Sequence, residues 1–134
     1  MKKDSLQFEE FKAPSGRATP FVTINSTGRF YLSTATASIY EIDDKKYPAV
    51  KFYYDKLQKV VAIKPLTEKE EGSLALKTPK YGGAFVNGAS FANKYGLMNE
   101  GVVSSNYIGK YIVEKTKLEG IGNVLLFDLS NKHK

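Results

Sequence analysis

The chain has 134 residues, a net charge of +6 and no cysteine, which excludes disulfides, thiolate catalysis and cysteine-held metal together. Hydrophobic residues make up 42%, enough to bury a core and too many for a disordered chain, and no apolar run reaches membrane-spanning length. The length fits one domain, or two small halves sharing one core.

Residues 1–20 read as an N-terminal arm. Leu6, Phe8 and Phe11 alternate loosely with charge, and Ala13 to Arg17 breaks any regular element. The plain expectation is an end whose few rings dock on the body. The sharper one is a basic arm that touches DNA through Lys12 and Arg17. Asp4, Gln7, Glu9 and Glu10 fall where the apolar part of a signal peptide would stand, so a cytoplasmic protein is expected.

Phe21 to Ile24 is β-branched and predicts a strand. Asn25 to Gly28 is turn chemistry, and Arg29 to Leu32 returns. With Phe30 and Leu32 inward, Arg29 and Tyr31 face out. Ser33 is placed to cap a short helix, whose Ala35, Ile39 and Ile42 share one face. Asp43 to Pro48 is a polar connection. Val50, Phe52 and Tyr54 alternate with Lys51 and Tyr53, so Phe52 should be buried. After a turn at Asp55 to Gln58, Val61 and Ile63 complete a hairpin that ends at Lys64-Pro65. Glu68 to Gly72 is a charged loop.

The layout then recurs. Gly83 to Asn87 stands where Gly28 to Leu32 stood, 55 residues later (83 − 28). At that step Gly28, Phe30, Ala37 and Tyr40 meet Gly83, Phe85, Ala92 and Tyr95 without a gap, and Ile42 meets Leu97. Leu74 to Lys77 supplies a preceding strand, and Gly96 a helix stop. Tyr107 to Lys115 and Val124 to Leu129 form a second hairpin, turned at Gly120 to Asn123. The fold class read from this is α+β and β-rich, with two pseudo-repeats of strand-strand-helix-hairpin sharing one core. The first spans 21–66 and the second 73–130. Phe30 and Phe85 should then be buried at equivalent places.

No catalytic constellation emerges. The only histidine is His133, in the C-terminal tail. Asp43-Asp44 and Glu68/Glu70/Glu71 stand in lysine-rich loops, where solvated charge is the ordinary reading against a magnesium site. Ser104-Ser105 has no base near it in sequence. Gly120-Ile121-Gly122 lacks the third glycine and following helix of a dinucleotide fingerprint. The chain is therefore read as a non-enzyme, with no cofactor and no metal.

Of 20 basic residues only Arg17 and Arg29 are arginine. A guanidinium fork suits base edges, whereas lysine grips phosphate as a point charge. Tyr31, Tyr53, Tyr107 and Tyr111 fit a core or core-edge role. Tyr31 and Tyr53 also fit an outward set with Arg29, Lys51 and Lys64, since rings among cations on a sheet make a stacking platform for single strands. The expected function is non-catalytic nucleic-acid binding through Arg17, Arg29, Tyr31, Lys51, Tyr53 and Lys64. The partner would be DNA, single- or double-stranded. The alternative is a structural or protein-partner-binding module whose lysines confer solubility.

The stretch FVTINSTGRFYLSTATASIYEI, followed after a gap by AVKFYYDKLQKVVAIKPL, resembles the AbrB/MraZ-type swapped-hairpin domain. The resemblance rests on Gly28-Arg29 and the helix to Ile42. It implies DNA binding as a homodimer or higher oligomer, with two such units in one chain as in MraZ-like members. Ser33 stands where that family commonly has proline, Thr36 and Ala37 offer no early helix arginine, and the second unit has no arginine.

Overall fold

The computed structural model describes residues 3–11, 19–99, 102–103 and 109–133. Lys12, Arg17, Ser104, Ser105 and Tyr107, named above, lie outside the described residues. A 3-10 turn, Lys3–Ser5, opens the chain. The first strands are β1 (Phe21–Ile24) and β2 (Arg29–Leu32), followed by helix α1 (Thr34–Ile39), β3 (Ala49–Asp55) and β4 (Val60–Leu66). Next come β5 (Leu74–Lys77), β6 (Ala84–Asn87), helix α2 (Ala89–Lys94) and the short strands β7 (Met98–Asn99) and β8 (Val102–Val103). The chain ends with β9 (Gly109–Ile112), β10 (Glu114–Leu118), β11 (Gly122–Asp128) and β12 (Lys132–His133). No helix among the described residues is long and apolar enough to cross a membrane.

Ten strands form one antiparallel sheet, in the order β10-β11-β4-β3-β5-β6-β2-β1-β9-β12. Only Val113 separates β9 from β10, and its amide donates to the Pro20 carbonyl at 3.1 Å. One continuous stretch of chain thus pairs β1 through β9 and β11 through β10. That shared stretch closes the strand order on itself as a barrel. The apolar sides of the strands meet inside. Phe30, Leu32, Ile63, Leu76, Tyr111, Val113 and Leu125 are all fully buried there. Tyr111 is a core residue, as one reading of the sequence had it.

The helices cap this core. Phe91 of α2 sets its ring 6.0 Å from Phe30 and 4.8 Å from Phe52, edge to face, a favoured geometry for aromatic pairs. Phe52 is only half-buried, but it packs inward as expected while Lys51 and Tyr53 point the other way. Helix α1 docks differently from the expected Ala35 face. Its one fully buried residue is Thr36, whose hydroxyl donates to the Phe21 carbonyl at 2.8 Å. Ser33 caps the helix by accepting from the Thr36 amide at 3.1 Å, and accepts from the Phe21 amide as well. A threonine-rich helix of six residues is weak by propensity, and these bonds fasten it to β1. Thr36→Val keeps the shape and removes the hydroxyl. It is expected to cost roughly 1–2 kcal/mol in urea denaturation, limited because the Ser33 amide still serves the Phe21 carbonyl at 3.0 Å.

Phe85 corrects one expectation. In β6 the buried residues are Ala84 and Val86, so Phe85 faces outward and is half-buried, whereas Phe30 is wholly inside. Phe30 pairs across the ladder with Val86, and Tyr31 with Phe85. Phe30 and Phe85 are therefore on opposite faces. The arm also departs from expectation: Phe8 is 90% and Phe11 85% exposed, so neither ring docks on the body.

Candidate nucleic-acid interface

The outer side of the barrel over β9, β1, β2, β6 and β5 is set by alternation. Tyr111, Val22, Ile24, Phe30, Leu32, Ala84, Val86 and Leu76 point in, so their neighbours point out. The ladder registers bring Lys110, Thr23, Tyr31, Phe85 and Lys77 into one row across five adjacent strands. Arg29 stands in the next row, opposite Asn87. Its guanidinium lies 4.2 Å from the centroid of the Phe85 ring, within cation–π range. Arg29, Lys77, Phe85, Asn87 and Ser90 line an open cleft of about 630 Å³.

Tyr31 is fixed by both ends. Its hydroxyl donates to the Gly82 carbonyl at 3.0 Å, and its ring stacks on Tyr81 at 6.4 Å and 26°. Tyr81 is 73% exposed and offers its outer face to solvent. The turn that brings it there depends on Gly83 at φ +74°. A Cβ at that position would fall 2.6 Å from the Leu32 carbonyl oxygen and from the Tyr31 hydroxyl. At the other end of the row, Lys110 reaches to 5.8 Å over the Phe21 ring, which also packs 4.9 Å from His133. His133 lies in β12, paired with β9.

The strands of this face are free of carboxylates. The five strands FVTI, RFYL, LALK, AFVN and GKYI contain Arg29, Lys77 and Lys110 and no carboxylate. Each of β3, β10 and β11 carries one acidic residue, Asp55, Glu114 and Asp128. A face with cations and rings but no acid has a positive potential that local carboxylates do not cancel.

The outward set expected from the sequence is divided by the strand order. Arg29 and Tyr31 belong to this face. Lys51 and Tyr53 lie on β3 and Lys64 on β4, beyond β6 and β5, about 14 and 19 Å away at the usual strand spacing. Lys51 and Lys64 face each other across the ladder. Lys51 donates to Glu70 Oε1 at 3.0 Å, and that hydrogen bond raises its pKa. Tyr53 sits opposite Ala62, in apolar rather than cationic company. The interface residues not read from the sequence are Tyr81, Lys77, Lys110 and the outward Phe85. A hint was present in Lys77, Lys80 and Tyr81 grouped just before the Gly82-Gly83 pair.

The acidic loops have structural employment. Asp43 Oδ1 accepts from the amides of Lys45 and Lys46 at 2.9 Å. The Asp44 amide donates to Thr78 Oγ1 at 3.0 Å, and the Thr78 hydroxyl lowers the carboxyl's pKa. Both aspartates fix the connection into β3. No family model matches the chain, and neither a curated protein nor a solved structure matches it.

Proposed function

We propose that this protein binds nucleic acid without catalysis, through the outer face of β9-β1-β2-β6-β5. The observation that carries the reading is the carboxylate-free row of Lys110, Tyr31, Phe85 and Lys77, with Arg29 and Tyr81 beside it. Cations neutralise phosphates whatever the base sequence, and exposed rings stack on unpaired bases. A cysteine-free chain suits the cytoplasm, where that partner would be met.

The test is an anisotropy titration with labelled single- and double-stranded DNA between about 50 and 200 mM salt. Affinity should fall steeply with salt. Lys77→Ala and Lys110→Ala should each weaken binding about equally across sequences and lower the salt slope by roughly one unit. Lys51→Ala should lower it less, because Glu70 already neutralises that ammonium. No binding to either form at low salt would remove the proposal, since electrostatic attraction is strongest there.

We also infer an internal duplication, as in the MraZ-like members of the family the sequence resembles. Three local likenesses support it. Tyr40 and Tyr95 close the two helices as C-caps. Glu41 and Gly96 follow at φ 55° and 69°. Ile42 then donates to the Ala37 carbonyl, as Leu97 does to Ala92, both at 2.8 Å, the bond of a Schellman stop. These helix positions keep the 55-residue step. The strands keep 54: Val22 opposite Leu32 corresponds to Leu76 opposite Val86. One extra residue between Val86 and α2, where Asn87 and Gly88 stand against Ser33 alone, accounts for the difference. DNA binding as a homodimer or higher oligomer, as that family does, belongs to the same proposal.

A further inference from the structure

Strands β4 and β11 separate at one end. Their ladder stops at Ile63 and Leu125, although β4 runs on to Leu66 and β11 begins at Gly122. Beyond that pair each strand keeps only its other neighbour, β3 for β4 and β10 for β11. Pro65 supplies the reason: it has no amide to donate, and proline stands where a strand becomes an edge. The open seam is a cavity of about 220 Å³, lined by Pro65 from β4 and by Asn123, Val124 and Leu125 from β11. Tyr40, Ile42 and Tyr47 line it from the end of α1 and the connection into β3. Ile42, Val124 and Leu125 are buried and make its floor apolar. The Tyr40 hydroxyl donates to the Val113 carbonyl at 3.4 Å, which fixes that ring.

The charged groups at this cavity are cationic. Lys64 and Lys115 line it, and no carboxylate among the described residues does. Lys64 stretches across the seam, its Nζ 4.0 Å from where a Cβ on Gly122 would stand. Lys115 is opposite Leu125, and Lys117 follows on the same side of β10, opposite Asn123. Among the described residues neither Lys64 nor Lys115 is in an ion pair. The acids of the adjoining elements are turned away or engaged. Glu114 alternates to the other side of β10, opposite Leu126. Glu41 pairs with Lys46 at 3.9 Å, and Asp43 accepts from the amides of its own loop.

We propose that this seam binds a small organic anion, one ring bearing a single carboxylate or phosphate group. Two ammonium groups without a counter-ion select negative charge, and lysine meets either oxyanion as a point charge. The apolar floor and the two tyrosine rings select a flat apolar body. The volume lies below the range of about 300–1,000 Å³ for drug-sized ligands, which limits the body to one ring. The seam between β4 and β11 is outside the five strands of the nucleic-acid face, so it is a second site.

Backbone amide chemical shifts of the full-length chain test this. The probes are benzoate, phenyl phosphate, benzyl alcohol and benzylamine, titrated at constant ionic strength. Benzoate or phenyl phosphate should saturate with a dissociation constant of about 1 mM, a weak affinity suited to a ligand this small. The shifts should fall on the amides of Ile42, Lys64 and Val124, and the tighter of the two anions identifies the preferred head group. Benzyl alcohol and benzylamine should bind at least about tenfold more weakly, as should benzoate to the double variant Lys64→Gln/Lys115→Gln. Neither lysine is buried, so the variant keeps the barrel, as circular dichroism would verify. No saturable shift with either anion overturns the proposal. Equal binding of benzyl alcohol reduces the seam to an apolar crevice and overturns it too, as does benzoate binding that ignores the double variant. Anion shifts confined to Arg29, Lys77 and Lys110 belong to the other face and overturn it equally. None of these readouts uses DNA, so this proposal and the nucleic-acid reading fail separately.

Discussion

Phe30→Ala is expected to lower the unfolding free energy by about 3–5 kcal/mol, the range for truncating a large buried aromatic side chain. Its ring is fully buried and stands among Phe52 at 5.0 Å, Phe91 at 6.0 Å and Phe127 at 6.2 Å. Those partners come from β3, α2 and β11, so one ring joins elements from both ends of the chain. The start of α2 rests on it closely: a Cβ on Gly88 would fall 2.5 Å from Phe30 Cδ1. A backbone packed that tightly relaxes poorly into a void, which argues against the low end of the range. The control is Phe85→Ala. That ring lies on the outer face beneath Arg29 and should cost about 1 kcal/mol or less. Urea denaturation followed by circular dichroism measures both. Equal losses would mean that β6 turns its other face to the core.

Phe85 also shows where the sequence stopped being legible. The strands β1 to β5 were readable because apolar residues alternate between clear turn signals. The caps were readable because Ser33 and Gly96 have local chemistry of their own. The face of β6 was not. Matching Phe30 to Phe85 favoured the larger ring, but Ala84 and Val86 are the pair that fits inside. A step of 54 in the strands and 55 in the helices is invisible to a gapless comparison, and one residue of register moves every side chain of a strand to the other face.

The candidate site was half legible for a different reason. Arg29 and Tyr31 were placed outward by Phe30 and Leu32 within one strand. Whether Lys51, Tyr53 and Lys64 join them depends on strand order, and β6 and β5 insert between β2 and β3 from more than twenty residues downstream. No local pattern encodes that insertion. The same non-local pairing brings Lys77 and Lys110 to opposite ends of one row.

Tyr81→Ala is expected to weaken binding of single-stranded DNA by about 1–3 kcal/mol, roughly 5- to 150-fold, the worth of one base stacked on an aromatic ring. The choice among the rings follows from which faces are open. The guanidinium of Arg29 covers Phe85 at 4.2 Å, and Tyr31 is half-buried with its hydroxyl held by Gly82. Tyr81 stacks on Tyr31 with one side and presents the other to solvent. A base laid there would extend an existing stack and leave its phosphates near Lys77 and Arg29. Because Tyr81 is mostly exposed, the substitution should change stability by no more than about 0.5 kcal/mol, so the lost affinity can be read without a folding correction. Duplex binding should hardly respond, since paired bases offer no face for stacking. A protein that prefers duplex, tolerates Tyr81→Ala and fails with Arg29→Ala would instead favour the AbrB/MraZ-type mode. In that mode the same outer face grips the phosphate backbone, with Arg29 as its anchor.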